Sequence, residues 1–166
     1  MSQETLITIY YACCHSLMTY GIIFWGNSPY SIHIFSLQKK IIITITNSKN
    51  RDSIRNLFKN LNISTFISQY IFLLLFFVIT NREQYITNSD IHGRNTRYGS
   101  KMHQTISNLP IYQRGFYHVG LKVFNSLPTY IKDIFFNVKE FKHLLKTFLY
   151  LNSFYMLEEY FQYNNT

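Results

Sequence analysis

The sequence predicts an all-α protein, a helical bundle followed by a loop and a smaller helical C-terminal part. Two observations carry that reading. Apolar residues recur at three- and four-residue steps in segment after segment, and polar or Gly/Pro clusters punctuate them at helix-length intervals. No fixed-period repeat is present. The division that follows is a bundle over 1–80, a polar linker or loop over 81–110 and a helical segment over 111–166.

The first helical unit runs from about Glu4 to Gly26, with Leu6, Ile9/Tyr10, Cys13, Leu17, Tyr20/Gly21 and Phe24 on one stripe. Gly26-Asn27-Ser28-Pro29 stops it, and Ser28 with Pro29 suits the start of a second helix, because proline loses nothing at the first helical position. Tyr30, Ile34, Leu37, Ile41 and Ile45 form the second stripe, turning Gln38, Lys39 and Lys40 mostly outward. The β-branched run Ile41 to Thr46 could pass for a strand, but the stripe continues through it and favours helix. After the polar turn Asn47 to Asn50, Asp52 or Ser53 would cap a short helix through Leu61. A fourth helix spans about Ser64 to Thr80 and contains ten consecutive apolar residues, Tyr70 to Ile79. A bilayer helix needs about 20 such residues, so a buried core helix is favoured over a membrane span.

From Asn81 to Pro110 large apolar residues thin out and Asn, Thr, Ser, Gly and His dominate, which marks a linker or long loop. Ile111 to Asn125 reads as helical despite Gly115 and Gly120, and Leu127-Pro128 breaks it. Asn137-Val138-Lys139-Glu140 is close to a capping box, and Phe141, Leu144, Leu145, Phe148 and Leu149 give the next helix its apolar face. An amphipathic segment, Ser153 to Gln162, ends the chain.

Composition narrows the function classes. Of 166 residues 47% are hydrophobic, with 15 Phe and 14 Tyr, enough apolar material to exclude a wholly disordered chain. Up to Val78 the only carboxylates are Glu4 and Asp52, so that half cannot build a paired-carboxylate or two-metal centre. The neighbours Cys14 and His15 diverge by about 100° on a helix and cannot form a nucleophile–base pair. His15, His33, His92, His103, His118 and His143 show no zinc spacing, and no Gly-rich phosphate loop occurs. The chain is therefore expected to be no enzyme, with no catalytic residue, metal or cofactor and no small-molecule substrate. Adjacent Cys13 and Cys14 are no disulfide framework and read as buried helical thiols of a reducing compartment. The N-terminal Met1-Ser2-Gln3-Glu4 has no basic region before the apolar stretch, so a cytoplasmic or nuclear location is expected.

The charge is better organised than the chemistry. The formal net charge is +8, which favours an anionic partner, most often nucleic acid. Lys39, Lys40, Lys49, Arg51, Arg55 and Lys59 face the single Asp52 within 21 residues. Two such helix faces beside a turn could track a phosphate backbone, though the same pattern fits a solvated helix pair. Arg94, Arg97 and Lys101 form a second basic cluster in the loop, with Tyr98 the one aromatic placed for base stacking; plain solubility explains this cluster equally well.

Motifs in order along the chain carry a family resemblance. Tyr20-Gly21-Ile22-Ile23-Phe24-Trp25-Gly26, then Leu37-Gln38-Lys39-Lys40-Ile41-Ile42, resembles the region after the catalytic palm in reverse transcriptases of non-LTR (LINE-type, jockey-like) retrotransposons. Asn50-Arg51-Asp52-Ser53 with Leu57-Phe58-Lys59 is similar to that family's next helix, and His92-Gly93-Arg94-Asn95-Thr96-Arg97 to its H-x-x-x-T-R loop. Phe124-Asn125-Ser126-Leu127-Pro128 resembles its W-N-x-L-P, with Phe for Trp, and Phe141-Lys142-His143-Leu144-Leu145-Lys146 its terminal F-K-x-x-L-K helix. The resemblance implies a thumb and the segment after it: helices that grip a template–primer duplex through its backbone. The catalytic aspartates of such polymerases lie in the palm, and this sequence holds no Tyr-x-Asp-Asp. It thus implies a fragment of a transposable-element RNA-directed DNA polymerase without activity of its own, binding RNA or an RNA–DNA duplex nonspecifically. The alternatives are a small membrane-associated protein anchored around 64–79 and a nonfunctional translated remnant.

Overall fold

The computed structural model describes residues 2–48, 53–93, 101–104 and 108–163, and these form an all-α fold with one isolated backbone bridge, Thr87 to Met102. Its centre is α6 (Phe66–Thr80), the apolar run flagged by the sequence. Tyr70, Ile71, Leu74, Leu75, Val78 and Ile79 are almost wholly buried along it. A helix apolar on so many sides needs neighbours all round, and it has them. α3 (Ile22–Trp25), α4 (Ser31–Thr46), α9 (Phe116–Asn125) and α11 (Val138–Asn152) all pack on it. Glycine permits two of these approaches. A Cβ on Gly120 would lie 2.9 Å from Val78 Cγ2, and one on Gly26 would lie 2.3 Å from Tyr70 Cδ2. No helix among the described residues is long and apolar enough to cross a membrane.

The N-terminal unit departs from its expected stripe. α1 (Gln3–Ile9) runs into a π-helical stretch, Tyr10–His15, then α2 (Ser16–Thr19), and the chain turns at Gly21, whose φ of 60° suits glycine, before α3. Leu17, Tyr20 and Phe24, expected inside, are 76%, 84% and 71% exposed. The inward residues are Tyr10, Cys14, Met18 and Ile22. A four-residue step drifts about 40° per turn on an α-helix, and the wider i→i+5 turn of the π stretch offsets that drift. Cys13 is exposed and Cys14 half-buried, so the pair is not the buried one expected.

The β-branched run of α4 is helical, as its periodicity predicts, but the buried face is rotated by one residue. Phe35, Gln38, Ile42 and Ile45 are buried, while Tyr30 and Leu37 are 77% and 53% exposed. Gln38 turns inward because three polar groups await it. Its Nε2 donates to the Tyr10 hydroxyl (2.8 Å) and the Ser64 carbonyl (3.0 Å), and its Oε1 accepts from the Phe66 N–H (2.8 Å). That last bond satisfies one of the orphan donors at the start of α6. The helix begins at Ser31 rather than at Pro29, because Ser28 to Tyr30 first close turns through the Ser28 carbonyl.

α5 (Ile54–Asn60) follows Ser53 and buries Leu57 and Phe58. The polar stretch after α6 contains more order than expected. A 3₁₀ turn, Arg82–Gln84, leads to α7 (Asn88–His92), whose capping box is Thr87 with Asp90. Met102 is 6% exposed, and the Asn125 side chain holds its backbone at both N–H (3.0 Å) and carbonyl (2.9 Å). Downstream, α8 (Pro110–Gln113) and α9 are two helices rather than one, divided at Gly115. After α10 (Thr129–Lys132), Asn137 caps α11, whose Phe141, Leu145, Phe148 and Leu149 are buried as the pattern predicts. α12 (Leu157–Tyr163) closes the chain onto the bundle, with the Tyr160 hydroxyl donating to the Val123 carbonyl at 2.9 Å.

Candidate nucleic-acid interface

The cations singled out on α4 and α5 come together, but around a residue the sequence did not suggest. Lys39 is half-buried. Its Nζ sits 4.2 Å from the Phe35 ring centroid and 4.8 Å from that of Tyr155, while the Arg55 guanidinium lies 4.6 Å from the Tyr155 ring. One aromatic ring thus holds two cations. Arg55 Nη2 is also 2.7 Å from Glu159 Oε1, and the other oxygen of that carboxylate accepts from the Tyr155 N–H at 2.7 Å. Burial raises the Tyr155 hydroxyl above its ordinary pKa, and the Arg55 charge partly opposes that shift. Arg55 is therefore compensated by an acid 104 residues away, and Lys39 is held within the fold.

Lys40 and Lys59 remain outward. Lys40 is exposed at the rim of an apolar groove of ≈ 260 Å³ lined by Leu6, Ile9, Tyr10, Cys14, Ile41 and Ile45. Lys59 is half-exposed, and its carbonyl accepts from the Tyr150 hydroxyl, which ties α5 to the end of α11. Neither ammonium has an ion pair among the described residues. Lys49 and Arg51 lie outside the described residues, as do Arg94, Arg97 and Tyr98. Lys101 is described: its carbonyl accepts from the Asn88 N–H, and its charge stands near Lys132, whose pKa is lowered first by burial and then by Lys101. Lys132 Nζ donates to the Asn125 carbonyl at 2.7 Å.

Two features were missed by the sequence reading. The Tyr155–Glu159 clasp had no local signal, since nothing near Arg55 names a partner so distant. A second basic group, Lys142 and Lys146 on α11 with His15 opposite, did have one, because the two lysines are spaced i, i+4 and share a helix face. Among the described residues, no group of three or more His, Cys, Asp or Glu is placed to hold a metal ion. Comparisons with family models, with curated proteins and with solved structures give no significant match.

Proposed function

We propose that this chain is a C-terminal, thumb and post-thumb, fragment of a transposable-element reverse transcriptase, without catalytic activity, that touches RNA or an RNA–DNA duplex through its backbone. The observation that carries the reading is the ordered set of motifs that includes the basic α4–α5 region. An all-α architecture is what a thumb requires, the α4–α5 pair keeps Lys40 and Lys59 outward, and the sequence between these two helices adds the positive charges of Lys49 and Arg51. Phosphate contacts of this kind are sequence-independent and fall with salt. No small-molecule substrate or cofactor enters this proposal.

Filter binding of the full chain to an RNA–DNA duplex at low and raised salt tests it. The informative variant replaces Lys40, Lys49, Arg51 and Lys59 with Gln, sparing the Lys39–Tyr155–Arg55 cluster so that the fold stands. Binding that weakens with salt and with this variant supports the reading. No binding at low salt, or binding the variant leaves unchanged, overturns it. The proposed origin is tested separately, by translating the flanking genomic DNA in all frames and looking for a Tyr-x-Asp-Asp motif.

A further inference from the structure

Between α6 and α11 lies a cleft of ≈ 270 Å³ lined by His15, Ser64, Ser68, Gln69, Phe72, Lys142, Lys146 and Leu149. Its lining contains no carboxylate. The His15 ring, the Ser64 hydroxyl, the Gln69 amide and the two exposed ammonium groups make no hydrogen bond or ion pair among the described residues, so five polar side chains around one recess keep their hydrogen-bonding capacity open. Lys142 and Lys146 are exposed like charges one helical turn apart, a mildly unfavourable pair that an anion between them would relieve. Walls partly fix the cleft's shape. Lys142 Nζ stands 5.2 Å from the Phe76 centroid, and His15 is packed edge-on against Tyr11 at 5.2 Å. Burial lowers the His15 pKa, so near neutral pH its ring is a neutral donor rather than a third charge. The volume is several times that of a water, about 30 Å³, which leaves room for a tetrahedral oxyanion and its remaining hydration.

We propose that this cleft is a phosphate-binding site, with Lys142 and Lys146 supplying the charge and Ser64, Gln69 and His15 the neutral donors. The recognised chemistry is a phosphate group, whether free or in a phosphodiester backbone. The inference is independent of the nucleic-acid reading above, because its residues lie outside the α4–α5 cations.

Titrating the full chain with inorganic phosphate, followed by amide and imidazole chemical shifts, tests it. Chloride at matched ionic strength is the control. Saturable shifts at His15, Ser64 and Gln69 with phosphate and not chloride are expected, and replacing both exposed lysines (Lys142→Gln with Lys146→Gln) should weaken binding about tenfold or more, as losing charge-assisted hydrogen bonds does. A short oligonucleotide that competes with phosphate makes the backbone diester the source; failure to compete, with phosphate still bound, makes it a free phosphate group. Shifts identical in chloride, no saturation in the cleft, or unchanged binding by the double variant overturns the site. Lys40→Gln with Lys59→Gln should leave phosphate binding intact, so loss of duplex binding and loss of this site are told apart.

Discussion

Replacing Gln38 with Leu should destabilise the protein through hydrogen bonds rather than through packing. Leucine nearly fits the space but leaves the Phe66 N–H and the Tyr10 hydroxyl without the amide that now satisfies them. Both residues are at most 2% exposed, so water cannot easily replace the lost partner. The Ser64 carbonyl, on a half-buried residue, can still find water. Two stranded groups cost about 2–6 kcal/mol together, and burying the leucine returns about 2 kcal/mol. A net loss of about 2 kcal/mol is expected, a large share of the roughly 5–15 kcal/mol that holds a domain together. Urea unfolding followed by far-UV circular dichroism should show the midpoint falling by about 1 M with an unchanged slope. Tyr10→Phe in both backgrounds should give a coupling energy of about 1 kcal/mol. A variant with a midpoint equal to or above that of the parent would refute the reasoning, because it would mean that the amide sits in water and that α4 buries the Tyr30–Leu37–Ile41 face instead.

The remaining predictions follow from burial and charge. Burial holds the Tyr10 hydroxyl up to about 12 and raises Tyr70 and Tyr160 further. The unfolded chain then releases protons from about pH 10 while the fold retains them, so stability is intact below pH 10 and falls above it. Each such tyrosine removes about 1.4 kcal/mol per pH unit. Alkaline unfolding should be steep, and Tyr160→Phe should make it shallower; an equally steep transition in that variant would count against burial as its cause. Gly26→Ala brings a methyl to 2.3 Å from Tyr70 and 2.7 Å from the Ile22 carbonyl, so a loss of about 1–3 kcal/mol is expected, read as a lower melting temperature. Glu159→Gln frees the Arg55 guanidinium, and because that pair is more than a third exposed the stability change should stay below about 1 kcal/mol. Duplex affinity should rise and its log–log salt slope steepen by about 0.9; an unchanged slope would place Arg55 away from the nucleic acid.

Helix existence was legible in the sequence wherever punctuation and periodicity agreed. α6 followed from an apolar run too short to span a bilayer, and α11 from Asn137 and its five apolar positions. Helix faces were less legible. On α4 the stripe through Leu37 and the stripe through Gln38 differ by about 100°, and hydrophobicity alone prefers leucine. The choice was settled by Tyr10, Ser64 and Phe66, which become neighbours only after folding. The N-terminal stripe failed because a π turn changes the residue count per turn, and local propensity does not announce that. For the candidate interface, the clustering of positive charge was readable, but its compensation was not. Arg55 meets Glu159 across 104 residues of chain.

Thr65 starts α6 as its cap, and the same hydroxyl donates to the Phe154 carbonyl at 2.7 Å, 89 residues later. Together with the Arg55–Glu159 contact it makes the segment from Phe154 to Glu159 a structural partner of α5 and of the start of α6. Closing such long loops costs entropy before any contact rewards it. During synthesis the Thr65 hydroxyl must therefore wait for its Phe154 acceptor, and Arg55 for its carboxylate, until Phe154 and Glu159 have been made. A chain stopped before Phe154 would already hold α3, α4, α9 and α11 around α6, yet would leave the Thr65 cap at the start of that helix without its distant acceptor.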